Sequence, residues 1–328
     1  MSSRKSALAS ARVLVIIPTH NHPGTLATAV QSVQNQTVSD IRIVVIGDGV
    51  NDDTRQIMAA IVRADDRVSF LDKPKTARHG EEYRDEVIRS SSEEVIAYLC
   101  DDDLMFPQHL EHLLSVLDGH DFANPLPVLM QPDGSLLIIP GDLANPLSVL
   151  WHLDSEIMRN SVSLSGVVHT RSSYERLPMG WRTAPAGRWT DHYMWQQYFA
   201  LPGFRGATAK ISTTAKFPAS STPGLDPDAT AAGIRQFASE MAQPSFFDEW
   251  QERVRAAVWD TAVDQLLVLT NMTRDRDALR STNEELLLGQ EPSRLEVIEE
   301  FASSTSWRVT KPLRWVRELL AGRGTVRK

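Results

Sequence analysis

A single cysteine, Cys100, occurs in 328 residues. No internal disulfide can form, and an all-cysteine zinc site is excluded. Long apolar runs are missing as well. Nothing approaches the ~18 uninterrupted apolar residues of a membrane span. The opening MSSRKSALASARV carries basic residues but no apolar segment of signal-peptide length, so export is not expected. Excess positive charge is also lacking: 34 Lys plus Arg stand against 42 Asp plus Glu, a net charge of −8, which does not favour nucleic acid as a partner. What is present is a 42% hydrophobic content, enough for a substantial core and against global disorder. The length suits one large domain with an appendage, or two domains.

The charge is unevenly spread. Ser303 to Lys328 carries seven basic residues (Arg308, Lys311, Arg314, Arg317, Arg323, Arg327, Lys328) and one acid, Glu318. That end is therefore +6 and the remainder −14, an asymmetry that often marks an interaction tail.

From Val13 onward, short apolar runs alternate with amphipathic stretches. VLVIIP (13–18) reads as a buried strand, and IRIVVI (41–46), RVSFL (67–71) and EVIAYL (94–99) read as the second, third and fourth strands. Helical spacing follows the first two, and residues 81–91 read as helix. Strands alternating with helices imply a parallel sheet of crossover units. Further on, SLLIIPG (135–141) and SLSGVVH (163–169) read as strands, and DHYMWQQYFA (191–200) as helix. The Pro-, Ser- and Asp-rich 218–230 reads as loop, and Phe246 to about Leu288 as helix, broken by Pro292. A further helical piece runs through Leu295, Ile298 and Phe301. There is no internal repeat.

In such sheets ligands bind beyond the carboxyl ends of the strands. The first strand is followed by Pro18-Thr19-His20-Asn21, the second by Gly47-Asp48-Gly49, and the fourth by Cys100-Asp101-Asp102-Asp103. Three consecutive carboxylates repel one another. A divalent cation relieves that cost, and oxygen ligands suit Mg²⁺ or Mn²⁺; a solvated turn that caps the next helix is the competing reading. Asp48 sits where a carboxylate can read a ribose or a base edge, although Asp-Gly is also a common turn. Asn51-Asp52-Asp53-Thr54 reads as a helix cap.

VLVIIPTHNHPGTLATAVQSVQNQT, IRIVVIGDGVNDDT and EVIAYLCDDDLMFPQHL together resemble the nucleotide-binding half of a family 2 glycosyltransferase with the GT-A fold. The resemblance runs from about Val13 to Leu110 and continues more weakly to about Phe217. It implies an α/β GT-A fold with a mostly parallel central sheet, followed here by a C-terminal helical tail. It also implies that Asp48 contacts the nucleotide, and that Pro18, Thr19, His20 and Asn21 form the loop against which the base lies. Asp102 stands at the metal-binding aspartate of the DxD motif, bridging Mn²⁺ or Mg²⁺ to the donor diphosphate. Asp101 and Asp103 share the load left by Cys100, which replaces the motif's first acid. Tyr83-Arg84-Asp85 falls where the family has Ala-Arg-Asn, which points Arg84 at the same cleft. Gly47 replaces the first acid of the pair after the second strand.

Inverting sugar transfer needs a carboxylate to take the acceptor's proton. The family supplies it from an acidic pair opening a helix. The matching stretch here is Gly187 to Trp195, in which Thr190 replaces the first acid and Asp191 is retained. Asp191 is the candidate base, with helix capping the competing role. His192 beside it is read as a packing or surface residue rather than a ligand. Trp189 and Trp195 are candidates for an acceptor-sugar platform, with core packing favoured for Trp195. His169 and Arg171 are weaker candidates for the acceptor side. Cys100, beside three acids, is a poor nucleophile.

The expected organisation is a flexible start (1–10), a GT-A domain (11–245, divided into a nucleotide-binding half at 11–110 and an acceptor half at 111–245), and a helical extension (246–328). Within the extension, 307–321 place Trp and Leu on one face with Arg beside them, which suits an anionic membrane surface; residues 246–290 are a candidate homodimer segment. The leading function is a hexosyltransferase-like inverting enzyme that joins a nucleotide-diphosphate sugar to a carbohydrate or lipid-linked acceptor in bacterial surface polysaccharide or glycoconjugate synthesis. Its expected place is the cytoplasm, peripheral on the inner face of the plasma membrane. The alternatives are a catalytically silent nucleotide-sugar-binding or scaffold protein of the same fold, and a nucleotidyltransferase, whose Gly-rich basic loop PTHNHPG does not supply.

Overall fold

The computed structural model describes residues 12–154, 157–218, 224–288 and 303. The elements run β1 (Val13–Thr19), α1 (Pro23–Gln34), β2 (Ile41–Asp48), α2 (Asp52–Ala64), β3 (Val68–Lys73), α3 (Glu81–Ser90) and β4 (Val95–Tyr98). Then come β5 (Leu104–Met105), α4 (His109–Leu117), β6 (Phe122–Asn124), β7 (Val128–Met130), β8 (Leu136–Ile138), α5 (Pro146–His152), β9 (Val168–Thr170) and α6 (Arg171–Glu175). The series closes with α7 (Thr190–Phe199), β10 (Gly206–Thr208), β11 (Thr214–Ala215), α8 (Pro227–Met241) and α9 (Phe246–Leu288).

The central sheet has seven strands in the order β10-β6-β9-β4-β1-β2-β3. Only β9 runs against its neighbours, β4 and β6. Val13 of β1 lies opposite Ile41 of β2 on one side and Val95 of β4 on the other. That register brings the carboxyl ends of these three strands to one rim. The unbroken apolar run of β1 has a physical cause: the sheet is covered on both faces. Val13, Val15 and Ile17 pack with Leu26, Val30 and Val33 of α1. Leu14 and Ile16 pack on the other face with Tyr98, Trp195 and Tyr198. Period-2 alternation puts both sets in apolar surroundings, so no position in the strand calls for a polar residue. Each such side chain contributes about 1.5–3 kcal/mol by burial.

A third cluster joins Leu104, Phe106, Ala215 and Phe217 to Ile234 and Phe237 of α8 and to Trp250 and Val254 of α9. Here the expectation of loop over 218–230 is corrected at its end, from Pro227 onward. Asp226 caps α8 by accepting the Asp228 amide, and Pro227 occupies the first turn, so the Asp-Pro signal marks a helix start. The strand expected at 163–169 is confined to Val168–Thr170. Ser165 instead turns its side chain toward Cys100 and Asp103.

By compactness the chain divides into Met1–Ala257 and Val258–Lys328. In the second unit, α9 exposes Trp259 and Leu266 to Leu269. Among the described residues no helix is long and apolar enough to cross a membrane. The start at 1–10, the helical piece through Leu295 and the basic segment at 307–321 lie outside the described residues.

Candidate active site

The ends of β1 and β2 form the first wall. Asn21 adopts φ +56°, a left-handed conformation that Asn tolerates better than most residues. Its Oδ1 accepts the Asn51 amide at 2.7 Å, which fixes the β1 loop to the start of α2. His20 Nδ1 lies 2.7 Å from the Asp48 carbonyl oxygen, leaving the exposed ring beside β2. Thr19 is buried and donates its hydroxyl to Asp101. Asp48 is buried and accepts from Lys75 Nζ, from the Thr76 amide at 2.6 Å and from the Thr76 hydroxyl at 3.1 Å. Burial alone raises its pKa, but the Lys75 and Thr76 bonds outweigh burial and hold it below the ordinary carboxylate value.

Two glycines shape this wall. A Cβ on Gly47 would stand 2.9 Å from the Phe70 ring, so the acid that the resemblance places at 47 has no room here. Gly49 has φ +69°, and a Cβ on it would fall 2.5 Å from that of Lys75. Only glycine allows the turn that brings Lys75 to Asp48.

The acid row after β4 is divided by its partners. Asp101 accepts from Thr19 and faces His22 Nδ1 at 3.1 Å. This contact raises the His22 pKa against the opposing effect of burial. Asp103 is fully buried. It accepts from Ser165 Oγ at 2.5 Å, the Phe217 amide at 2.9 Å and Lys216 Nζ at 3.3 Å. Asp102, between them, accepts no hydrogen bond among the described residues. Burial, with Asp103 and Asp101 beside it, pushes its pKa up to about 7. Ligand atoms of Cys100, Asp102 and Asp103 lie within 4.8 Å of one another. An unpaired carboxylate repelled by its neighbours is a fitting first ligand for a hard cation that takes one or two carboxylates and completes its shell with phosphate oxygens. The Cys100 thiol is pushed well up, first by burial, which agrees with its reading as a small strand-end residue.

Behind the acid row, α3 contributes two buried charges. Glu81 accepts the His79 amide at 3.0 Å and the Thr190 hydroxyl at 3.2 Å. Arg84 donates from Nη2 to the His79 carbonyl at 2.7 Å, and its guanidinium lies 4.8 Å from the Trp181 ring centroid. Its Nε and Nη1 are buried without partners. Buried donors are rarely left unpaired, so this guanidinium retains capacity for an acceptor. Arg78 donates to the carbonyls of Pro185 at 2.9 Å and Arg188 at 3.0 Å, strapping the loop that leads into α7.

The start of α7 opens on a cavity of about 250 Å³, reached from the acid row through Ser165 and Lys216, the partners of Asp103. Trp189, Asp191, Ser165 and Lys216 line it, together with Asn124, Asn160, Ser161 and Thr214. Trp189 occupies the N-cap position of α7 and makes no side-chain cap. Asp191 lies inside the first turn and accepts the His192 amide at 2.7 Å. Burial raises its pKa against that bond. Trp189 is 49% exposed, whereas Trp195 is completely buried and donates to the Val162 carbonyl at 3.1 Å.

The structure therefore places Pro18, Thr19, His20, Asn21, Asp48, Asp101, Asp102 and Asp103 at the strand ends along one rim, Arg84 on the neighbouring α3, and Asp191 in the cavity lined by Ser165 and Lys216, the partners of Asp103. His192 is buried with Nε2 against the His152 carbonyl. His169 is a core residue bonded to the Tyr98 hydroxyl at 2.7 Å, and Arg171 ties β9 to the carbonyls of Ile88 and Glu93. Lys75, Thr76, Ser165 and Lys216 were not found from sequence. A lysine between Ala215 and Phe217 was the one available signal.

Residues 14–162 match the sequence profile of glycosyl transferase family 2. A β-1,3-glucosyltransferase of Campylobacter jejuni, named for GalNAc(5)-diNAcBac-PP-undecaprenol, is 27% identical over 128 residues, 38% of this chain and 40% of that protein. An uncharacterized glycosyltransferase of Rickettsia bellii is 32% identical over 36% of this chain and 17% of its own length. These first relatives are thus covered over less than half their length. An uncharacterized glycosyltransferase of Nostoc sp. is 24% identical over 235 residues, 66% of this chain and 72% of that protein. The crystal structure of Staphylococcus aureus TarS 1–349 shares the fold: TM-score 0.51 at 12% identity, covering 70% of this chain and 71% of that one. With the strand order and the residue pattern at the strand ends, these matches show a GT-A fold whose residues 14–162 are similar to glycosyl transferase family 2.

Proposed function

We propose that the chain is an inverting, metal-dependent transferase that moves a sugar from a nucleotide-diphosphate donor to a carbohydrate or lipid-linked acceptor. The observation that carries this reading is the division of the acid row: Asp101 faces His22 and Asp103 faces Lys216, which lines the cavity that holds Asp191, while Asp102 accepts no hydrogen bond among the described residues. Asp48, with Pro18, Thr19, His20 and Asn21, receives the nucleoside, and Arg84 supplies donors behind the rim. Asp102, with Asp103 beside it, would hold Mn²⁺ or Mg²⁺; such an ion supplies charge neutralisation at the donor diphosphate.

Asp191 takes the proton of the acceptor hydroxyl as that oxygen bonds to the anomeric carbon. The bond from this carbon to the diphosphate oxygen breaks, and its electron pair leaves with the diphosphate. The raised pKa of Asp191, caused by burial, suits a base, because a stronger base takes the proton more readily. Trp189 offers an apolar face to the acceptor ring. The acceptor class is supported by the name of the C. jejuni relative, which carries a lipid-linked saccharide.

In this reading, 11–245 is the transfer domain and 246–328 an extension. The exposed apolar side chains of α9 support pairing with a second copy. The basic segment at 307–321 supports contact with an anionic membrane on the cytoplasmic face, and the setting is surface polysaccharide or glycoconjugate synthesis. The test is single-turnover transfer with UDP-, GDP- and dTDP-sugars. Asp191→Asn is expected to bind donor normally and lose turnover by about 10²–10⁴-fold. Full turnover by that variant overturns the assignment of the base.

A further inference from the structure

We propose that Lys216 is a protein-borne cation for the diphosphate of the donor, acting beside Asp102. The proposal rests on the transferase reading above and extends it to a residue that neither the family resemblance nor the sequence patterning had singled out. Lys216 follows β11 in the register that pairs Ala215 with Leu104. This pairing carries a lysine from a distant part of the chain to the acid row. Its Nζ lies 3.3 Å from Asp103 Oδ2, and among the described residues this is its one hydrogen bond.

An ammonium has three donors, so two remain for a ligand. The side chain is 31% exposed and lines the cavity that holds Asp191 and Trp189. A pure packing role would need no such opening. The Asp103 carboxylate does not need Lys216 for its own satisfaction either: the Phe217 amide and the Ser165 hydroxyl already serve its two oxygens. The ammonium is therefore held at the edge of the acid row by one carboxylate, with donors free on the cavity side.

A group at this place meets the oxygens that gain charge as the sugar leaves. Cations fixed where charge develops are among the strongest contributors to transfer chemistry. Lys216 keeps its proton throughout and donates a hydrogen bond to the diphosphate; no covalent step involves it. The contact assigned to Lys216 is with the diphosphate, so the nucleoside monophosphate serves as the control.

The experiment is isothermal titration of the full chain with UDP, GDP and dTDP, and with the matching monophosphates, each with Mn²⁺ and with EDTA. Lys216→Gln keeps a donor for Asp103 without the charge, and Lys216→Arg keeps the charge. Thermal melts verify that both variants fold. Lys216→Gln is expected to weaken diphosphate binding about 10–100-fold, the range of a charge-assisted hydrogen bond. Monophosphate affinity should stay within about 2-fold of wild type, and Lys216→Arg should recover most of the loss. A purely structural lysine would lower both affinities together, which overturns the proposal. Equal diphosphate affinity of Lys216→Gln and wild type overturns it as well. Failure of wild type to bind any of the three diphosphates with Mn²⁺ overturns the transferase reading itself.

Discussion

Gly49→Ala tests the link between backbone conformation and the nucleotide wall. The substitution adds one methyl group at a residue with φ +69°. Holding an alanine in the left-handed region costs about 1–2 kcal/mol. The new Cβ would also stand 2.5 Å from Lys75 Cβ and 2.9 Å from Lys75 backbone atoms. Neither neighbour is the free end of a flexible chain, so the strand or the 73–76 segment must shift. Overpacking of this kind costs a further ~1–3 kcal/mol. The sum is about 2–5 kcal/mol, which corresponds to roughly 2–4 °C in melting temperature per kcal/mol for a unit of this size. The displaced segment carries Lys75 and Thr76, which hold Asp48. Nucleoside affinity should therefore fall with stability. Urea unfolding gives the first quantity and titration with nucleoside diphosphate the second. A loss below about 1 kcal/mol with unchanged affinity would refute the reasoning, because the turn would then accommodate a side chain that its geometry excludes.

Three further outcomes follow from the packing and the charges. Trp195→Ala removes a fully buried ring that touches Tyr98, Trp181 and Phe122 and should cost about 3–5 kcal/mol by urea unfolding. Asp65 accepts from Arg67 and Gln34, and the Arg67 bonds hold its pKa far below the carboxylate range despite burial. A depressed folded-state value adds stability above the unfolded pKa and loses it as pH falls. Asp65→Asn should therefore cost about 1.5–3 kcal/mol at pH 7, and the difference should shrink below about pH 4, as read by unfolding at stepped pH. Gly47→Asp should destabilise by about 1–3 kcal/mol against the Phe70 ring, and adding Phe70→Ala should recover part of the loss.

The strands β1, β2 and β4 were readable because sheet burial on both faces leaves a nearly unbroken apolar run, while the edge strand β3, only partly buried, was legible from its short apolar stretch between helices. The strand-end residues were readable for the same reason: polar groups directly after such a run must lie at the rim. Strands of two or three residues, such as β5, β6, β10 and β11, have no periodicity to detect. They depend on distant pairing, as when Thr214 finds Met105. Lys216 shares that origin, since its partner Asp103 lies 113 residues earlier. Arg84 was legible only through the family resemblance and Glu81 not at all, because the packing of α7 and Trp181 over them is what makes these helix-face charges buried. The helix start at Asp226-Pro227 was hidden by its own composition, because the residues that cap a helix also build loops. Gly47 looked like a lost acid, whereas the Phe70 ring shows why a small residue stands there.

The central claim is that Asp102, which accepts no hydrogen bond among the described residues, holds the ion that couples the donor diphosphate to transfer. It is tested most directly by the Mn²⁺-dependent release of nucleoside diphosphate from the cognate nucleotide sugar, compared between wild type and Asp102→Asn. The account predicts release that is abolished by EDTA, restored by Mn²⁺, and absent in Asp102→Asn at every Mn²⁺ concentration. Release by Asp102→Asn at the wild-type rate, or undiminished release in EDTA, would contradict it.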